Sequence, residues 1–279
     1  LKAWLNDEQQ GIWWANGQVD FAVTVAGGQR LRGSAFRQMR GVSVTLRLLP
    51  RTCPQLASLG VPRATSELLS NDAGLILVTG ATGSGKSTTL AAMVDFLNHH
   101  TDGHILTLED PVEFIYQSER CLIQQREIGQ HTPSFAEALR GALREDPDVI
   151  LLGELRDSET IRLALTAAET GHLVLATLHT RGASQAIERL VDTFPAQEKD
   201  PVRNQLAGSL RAVLAQRLVP DLQDGRVALY ELLVNTAAAA NLIREGKTWQ
   251  LPGIIQTGQQ AGMQNFDQSL AERRAQGRL

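Results

Sequence analysis

The spacing of apolar positions changes once along the chain, and the change divides it. From Gln18 to Pro50 apolar residues tend to recur at every second position, in QVDFAVTVA (18–26), QRLRGSAFRQM (29–39) and VSVTLRLLP (42–50). Asn16-Gly17, Gly27-Gly28 and Gly41 punctuate these runs. Period-two alternation broken by glycine turns predicts a small antiparallel meander, entered from a short polar helix. Arg30 and Arg32 share one face. Val42, Val44, Leu46 and Leu48 share another, which leaves Arg47 beside Thr45 on the polar side. The plain reading of these arginines is a solvated sheet face.

The stretch 48–74 holds three prolines and reads as linker plus a short helix. From residue 74 apolar runs alternate with helical patterns, which predicts a mainly parallel α/β sheet. The expected strands are LILVTG (75–80), HILTLED (104–110), DVILLGE (148–154), HLVLATLH (172–179) and RVALYELLV (226–234). Helices are expected at 86–99, 134–145, 158–170 and 182–193, and the chain reads as helical from about 235 onward. The resulting division is an N-terminal unit at 1–60, a linker at 61–73 and a larger domain at 74–279.

Composition narrows the function classes. The formal net charge of -3 gives no bulk electrostatic reason to bind nucleic acid or an anionic membrane surface. No apolar run approaches the roughly 18 residues that span a bilayer. The chain opens LKAW, without a methionine or a signal-peptide pattern, so a piece of a longer cytoplasmic protein is expected. Cys53 and Cys121 belong to no CxxC pair, and free thiols are expected.

The chemistry starts at GATGSGKS, residues 80–87, which meets G-x-x-x-x-G-K-[ST] at every fixed position between a buried strand and a helix start. Gly80, Gly83 and Gly85 let the backbone of Gly80, Ala81, Thr82, Gly83, Ser84 and Gly85 curl round phosphate oxygens. Lys86 would reach the β- and γ-phosphates of ATP, Ser87 would give its hydroxyl to Mg²⁺, and Thr88 completes the expected nucleotide-binding set. Carboxylates belong beside the γ-phosphate, and in a parallel sheet they come from the carboxyl ends of strands. Glu154 ends one strand; Glu109 and Asp110 end another, with Glu113 three residues on. Glu154 is the expected magnesium and water partner, while Asp157 or Ser158 reads as a helix cap.

The stretch GHLVLATLHT puts His172 and His179 at opposite ends of one expected strand. Seven residues of strand span roughly 23 Å, so the two cannot share a metal. His179 lies at the carboxyl end with the phosphate loop. His172 reads from spacing alone as a structural histidine bonded to backbone.

In this order, GATGSGKST, ILTLEDPVEF, VILLGELRD and TGHLVLATLHT resemble the Walker A, aspartate-box, Walker B and histidine-box segments of one family. That family is the secretion ATPases that power type IV pili and type II secretion, and the retraction subgroup is the nearest. The resemblance implies a RecA-like P-loop NTPase domain, preceded by part of a small PAS-like α+β domain and followed by C-terminal helices. It implies ATP hydrolysis with Mg²⁺, a homo-hexameric ring, and work on a pilus machine through an inner-membrane platform protein. It makes Glu154 the Walker B glutamate, Glu113 the water-activating glutamate, and His172 and His179 the histidine-box pair. It also brings Arg32 or Arg47 to the nucleotide. The tetracysteine zinc insertion of assembly and secretion ATPases is missing, which favours retraction and no zinc. The subgroup's AIRNLIRE segment departs here, with Ala239 and Ala240 where isoleucine and arginine are expected. Competing expectations are an ATP-binding switch or scaffold with little turnover, an assembly or secretion ATPase of the same family, and a nucleic-acid motor.

Overall fold

A computed structural model describes residues 1–223 and 225–279. Its contacts gather into two units: Leu1–Cys53 with Pro111–Ile115, and Pro54–Asp110 with Tyr116–Leu279.

In the first unit, helix α1 (Asp7–Asn16) starts where the Asn6 side chain accepts the Gln9 N–H and stops at Gly17, whose φ of 69° closes the last turn. The meander follows as β1 (Gln18–Thr24), β2 (Arg30–Gln38) and β3 (Gly41–Leu48), paired antiparallel in the order β1-β2-β3. Phe21 stands opposite Gly33, and a Cβ there would come within 2.2 Å of the Phe21 ring. The ring therefore occupies the space a side chain would take, in a small core with Leu5, Trp13, Val19 and Ala35. On β3 the expected apolar row is present, yet Val42, Val44, Leu46 and Leu48 are all exposed. Of their partners on β2, Leu31, Gly33 and Ala35 are buried, and Arg37 opposite Val42 is exposed. The core thus covers β2 and leaves the edge strand bare. Pro111–Ile115 joins this unit through the Arg30 guanidinium, which donates to the Val112 carbonyl at 3.0 Å.

The second unit opens with a 3-10 turn at Leu56–Leu59 and helix α2 (Ala64–Leu69). Then come β4 (Gly74–Thr79), α3 (Lys86–His100), β5 (Gly103–Glu109), β6 (Cys121–Glu127), α4 (Phe135–Ala142), β7 (Val149–Leu152) and α5 (Ser158–Glu169). The chain continues as β8 (Leu173–Leu178), α6 (Ala183–Asp192), α7 (Lys199–Ser209), β9 (Leu210–Pro220) and β10 (Arg226–Val234). It ends in α8 (Ala237–Arg244), α9 (Leu251–Thr257) and α10 (Phe266–Ala275). Among the described residues the sheet has seven strands in the order β10-β9-β4-β8-β7-β5-β6. All neighbours are parallel except β9 and β10. The expected strand at 226–234 is therefore present as the antiparallel partner of β9. Strands β6 and β9 and helix α7 were not expected from the pattern.

Strands β4, β7 and β8 are buried throughout, as parallel strands covered on both faces must be. One face packs on α4–α8, the other on α3 and the linker residues around Leu56 and Leu69. Asp157 caps α5, its carboxylate accepting the Thr160 N–H at 2.8 Å. Ala239 and Ala240 both belong to the core, at 0% and 8% exposure. In α8 these two small side chains let the helix lie close to its neighbours. No helix among the described residues is long and apolar enough to cross a membrane.

Candidate active site

The parallel order β4-β8-β7-β5 delivers four strand ends to one edge of the sheet, and the motifs found in the sequence sit there. Residues Gly80 to Gly85 link β4 to α3, with positive φ at Gly80, Gly83 and Gly85. Ala81, Thr82 and Gly83 are exposed, and Ser87 and Thr88 lie in the first turn of α3. The buried hydroxyl of Ser84 has no hydrogen-bond partner among the described residues.

Lys86 is almost fully buried, and its ammonium donates to the carbonyls of Gly80 at 2.8 Å and Ala81 at 3.0 Å. It also stands 3.2 Å from Nδ1 of His179, just beyond β8. Nε2 of the same imidazole lies 3.2 Å from Oε1 of Glu154, just beyond β7. The second carboxylate oxygen of Glu154 is gripped by Arg156 at 2.7 Å. Lysine, histidine, glutamate and arginine thus form one continuous polar chain across three strand ends. Burial pushes the Lys86 pKa down, and the nearby charge of Glu154 opposes that shift. The carboxylate of Glu154 holds the Arg156 guanidinium above its ordinary value.

Thr79, the last residue of β4, fixes the entry to this chain. Its hydroxyl meets the Thr180 hydroxyl at 2.7 Å and accepts the Thr180 N–H at 2.9 Å, so the segment after His179 is tied to the start of the phosphate loop.

The other sequence candidates are placed differently. Glu109 accepts from the Thr107 hydroxyl at 2.6 Å and from the Gln125 amide at 3.3 Å, bonds to its own strand and to β6. Asp110 is exposed. His172 stands at the start of β8, where Nδ1 lies 3.0 Å from the Ala167 carbonyl. Glu113, Arg32 and Arg47 belong to the first unit. Arg32 and Arg47 are direct cross-strand partners on β2 and β3. Two like charges placed opposite each other repel, which favours an anion beside them.

The profile of the type II/IV secretion system protein family matches residues 15–224. The chain belongs to that family. An uncharacterised protein of Escherichia coli (strain K12), YggR, is 73% identical over 279 residues, spanning 100% of this chain and 86% of that protein. The type IV pilus retraction ATPase PilT of Pseudomonas aeruginosa is 50% identical over 266 residues, 95% of this chain and 77% of its own. A crystal structure of the pilus retraction motor PilT with bound ADP superposes with a TM-score of 0.93 at 45% identity, covering 100% of this chain and 79% of that one.

For this member of the secretion family, the sequence patterns passed over Arg156, Gln216, Arg181, Arg217 and Arg226. The last four border a cavity of about 470 Å³ against Ala81–Ser84 of the phosphate loop. Gln216 and Arg217 lie on β9, which was not expected, so the signal that would have found these two was LRAVLAQRLVP read as a strand; Arg226 opens the expected strand β10, and only the pairing of β10 with β9 brings it to the cavity.

Proposed function

We propose that this chain is the ATP-hydrolysing motor subunit of a type IV pilus system, acting in pilus retraction. The observation that carries the reading is the connected set Lys86, His179 and Glu154 beside the phosphate loop, in a chain whose relatives include PilT.

Water attacks the γ-phosphate in line with the leaving β-phosphate, and the site must stabilise the charge that builds on the equatorial oxygens. Lys86 leaves the Gly80 and Ala81 carbonyls and donates to the β- and γ-phosphates, with the loop amides of 80–85 around them. Glu154 orients the attacking water or takes its proton, with Arg156 fixing one carboxylate oxygen and His179 the other. His179 links the γ-phosphate end of the site to Glu154. Ser87 and Glu154 offer hard oxygen donors, and the Ser87 residue is exposed at the first turn of α3, which is the donor chemistry magnesium takes when phosphates and water complete its shell. Bound there, magnesium would neutralise charge on the β- and γ-phosphate oxygens.

From the first unit we assign Glu113 as a second water-orienting carboxylate and one of Arg32 and Arg47 as a donor to the γ-phosphate. Their repulsive pairing supports an anion as partner. These roles suit a homo-hexameric ring in which ATP turnover moves N-terminal against C-terminal units. The ring would be cytoplasmic and peripheral to the inner membrane, held there by a pilus platform protein. Glu109 and Asp110 support the site from the end of β5.

Steady-state ATPase activity of the wild type, Lys86→Ala and Glu154→Gln tests the reading. Both variants should fall at least about a hundredfold. A wild-type rate no higher than either variant would instead support an ATP-binding switch or scaffold. A deletion strain that is hyperpiliated and does not twitch, and that the native gene restores, would support retraction over assembly.

A further inference from the structure

Gln216 lies on β9, outside every motif, and its residue is 2% exposed. Nε2 donates to the carbonyl of Ser84 at 2.6 Å, inside the phosphate loop. Oε1 accepts the hydroxyl of Thr89 at 2.8 Å, in the first turns of α3. The Ser84 carbonyl can only accept, so the NH₂ end of the carboxamide must face it and the oxygen is left for Thr89. One side chain from a third element therefore spans the loop and the helix that follows it.

Two of the loop glycines leave room for Gln216. A Cβ at Gly80 would come within 2.6 Å of the Gln216 main-chain carbonyl oxygen, and one at Gly85 within 3.1 Å of Nε2. The Ser84–Gly85 peptide is planar and trans, so its C=O and N–H point in opposite directions. Holding the Ser84 carbonyl against β9 turns the Gly85 N–H away from β9, which leaves it as a donor of the kind a phosphate oxygen takes at a helix N-terminus.

We propose that Gln216 is a positioning residue that presets the phosphate loop for nucleotide, by fixing the Ser84–Gly85 peptide and anchoring it to α3 through Thr89. The loop then binds phosphate without first reorganising, and reorganisation avoided appears as affinity. This inference rests on the nucleotide reading of the site.

The test measures MgADP affinity of the full chain for the wild type, Lys86→Ala and Gln216→Met, together with melting without nucleotide and the ATPase constants. Methionine keeps the volume of Gln216 and removes both hydrogen bonds. Gln216→Met should bind MgADP about tenfold more weakly and raise KM by a similar factor, while it melts roughly 4–20 °C below the wild type without nucleotide, because the Ser84 carbonyl and the Thr89 hydroxyl lose a partner. Its kcat at saturating ATP should stay within about twofold, because the bound phosphate then holds the loop itself. A residue needed only for folding would lower the melting temperature and leave affinity unchanged. MgADP affinity within about twofold of the wild type, with Lys86→Ala unable to bind, would overturn the role of Gln216 and spare the nucleotide reading. Wild-type affinity in Lys86→Ala would overturn the nucleotide reading and the inference with it. Should the methionine variant fail to fold, Gln216→Glu keeps the acceptor for Thr89 and loses the donor to Ser84. It should also bind MgADP at least about tenfold more weakly, and unchanged affinity would overturn the inference.

Discussion

Replacing Lys86 with methionine should separate the stability of the nucleotide-free chain from its capacity to bind nucleotide. Lys86 is a buried cation whose ammonium meets two main-chain carbonyls and one imidazole. Hydrogen bonds from a charged donor contribute about 1.5–3 kcal/mol each. Taking an ammonium out of water costs several kcal/mol in return. The lowered pKa gives the sign of the balance: burial outweighs the attraction of Glu154, so the charged form is disfavoured where it stands. The folded chain then holds fewer protons than the unfolded one, and the cost is fully present below the lowered pKa, fading as pH rises toward the ordinary 10.5. At neutral pH the methionine variant should melt within about 3 °C of the wild type when no nucleotide is present. MgADP at a hundred times its Kd stabilises the wild type by about 2.7 kcal/mol. In a chain of this size that raises the melting temperature by roughly 5–10 °C. The variant should show no such rise. Thermal melting followed by intrinsic fluorescence, with and without MgADP, reads both quantities. A nucleotide-free melting temperature more than about 8 °C lower would refute the balance drawn here and make Lys86 a structural strut. A full MgADP shift in the variant would refute its place at the phosphates.

Two further substitutions probe the neighbourhood. His179→Ala should lower kcat by about tenfold to a hundredfold, because it breaks the link between Lys86 and Glu154, whereas His172→Ala should stay within about threefold; the reverse order in a steady-state assay would overturn the placement of the pair. Glu231, on β10, accepts the Ala183 N–H at 2.9 Å, and burial raises its pKa above the ordinary 4.5. The folded chain therefore holds more protons here, and the stability Glu231 contributes is complete below 4.5 and lost as pH rises through the raised value. Glu231→Gln keeps the acceptor without titrating, so its melting temperature should gain on the wild type as pH rises from 4.5 toward neutral. A constant difference across that range would count against the shift.

The phosphate loop and the strands that frame it were legible because each carries its own signal. β4, β7 and β8 are short unbroken apolar runs with a glycine, acid or histidine at the end, and a parallel sheet brings those ends together. β9 carries no such signal. It follows α7 directly from Ser209 to Leu210 with no turn residue between them, and it is buried on both faces between β4 and β10, so its apolar positions do not alternate. Gln216 was invisible for the same reason. β6 failed in the opposite way: CLIQQRE is an edge strand, mostly polar, and only its pairing with β5 makes it a strand. On β3 the alternation is plain in the sequence, but period alone says which residues share a face and not what covers it. His179 and Glu154 could be placed at one sheet edge from strand direction. Their 3.2 Å approach depends on the register of β7 against β8, which no local pattern encodes.

The bond between Gln216 and Ser84 also sets the order in which the protein can be built. The two residues are 132 positions apart, and β4 pairs on one side with β8 and on the other with β9. At about 5–20 residues per second on the ribosome, the phosphate loop waits roughly 7–26 s after its own synthesis before the strand that braces it emerges. Until β8 emerges β4 is an apolar strand without either neighbour, and until β9 follows it still lacks one, open to wrong pairing. The ATP-binding loop, though it lies in the first third of the chain, is therefore among the last parts to be completed, and slowing translation between Gly85 and Leu210 would lengthen its exposure.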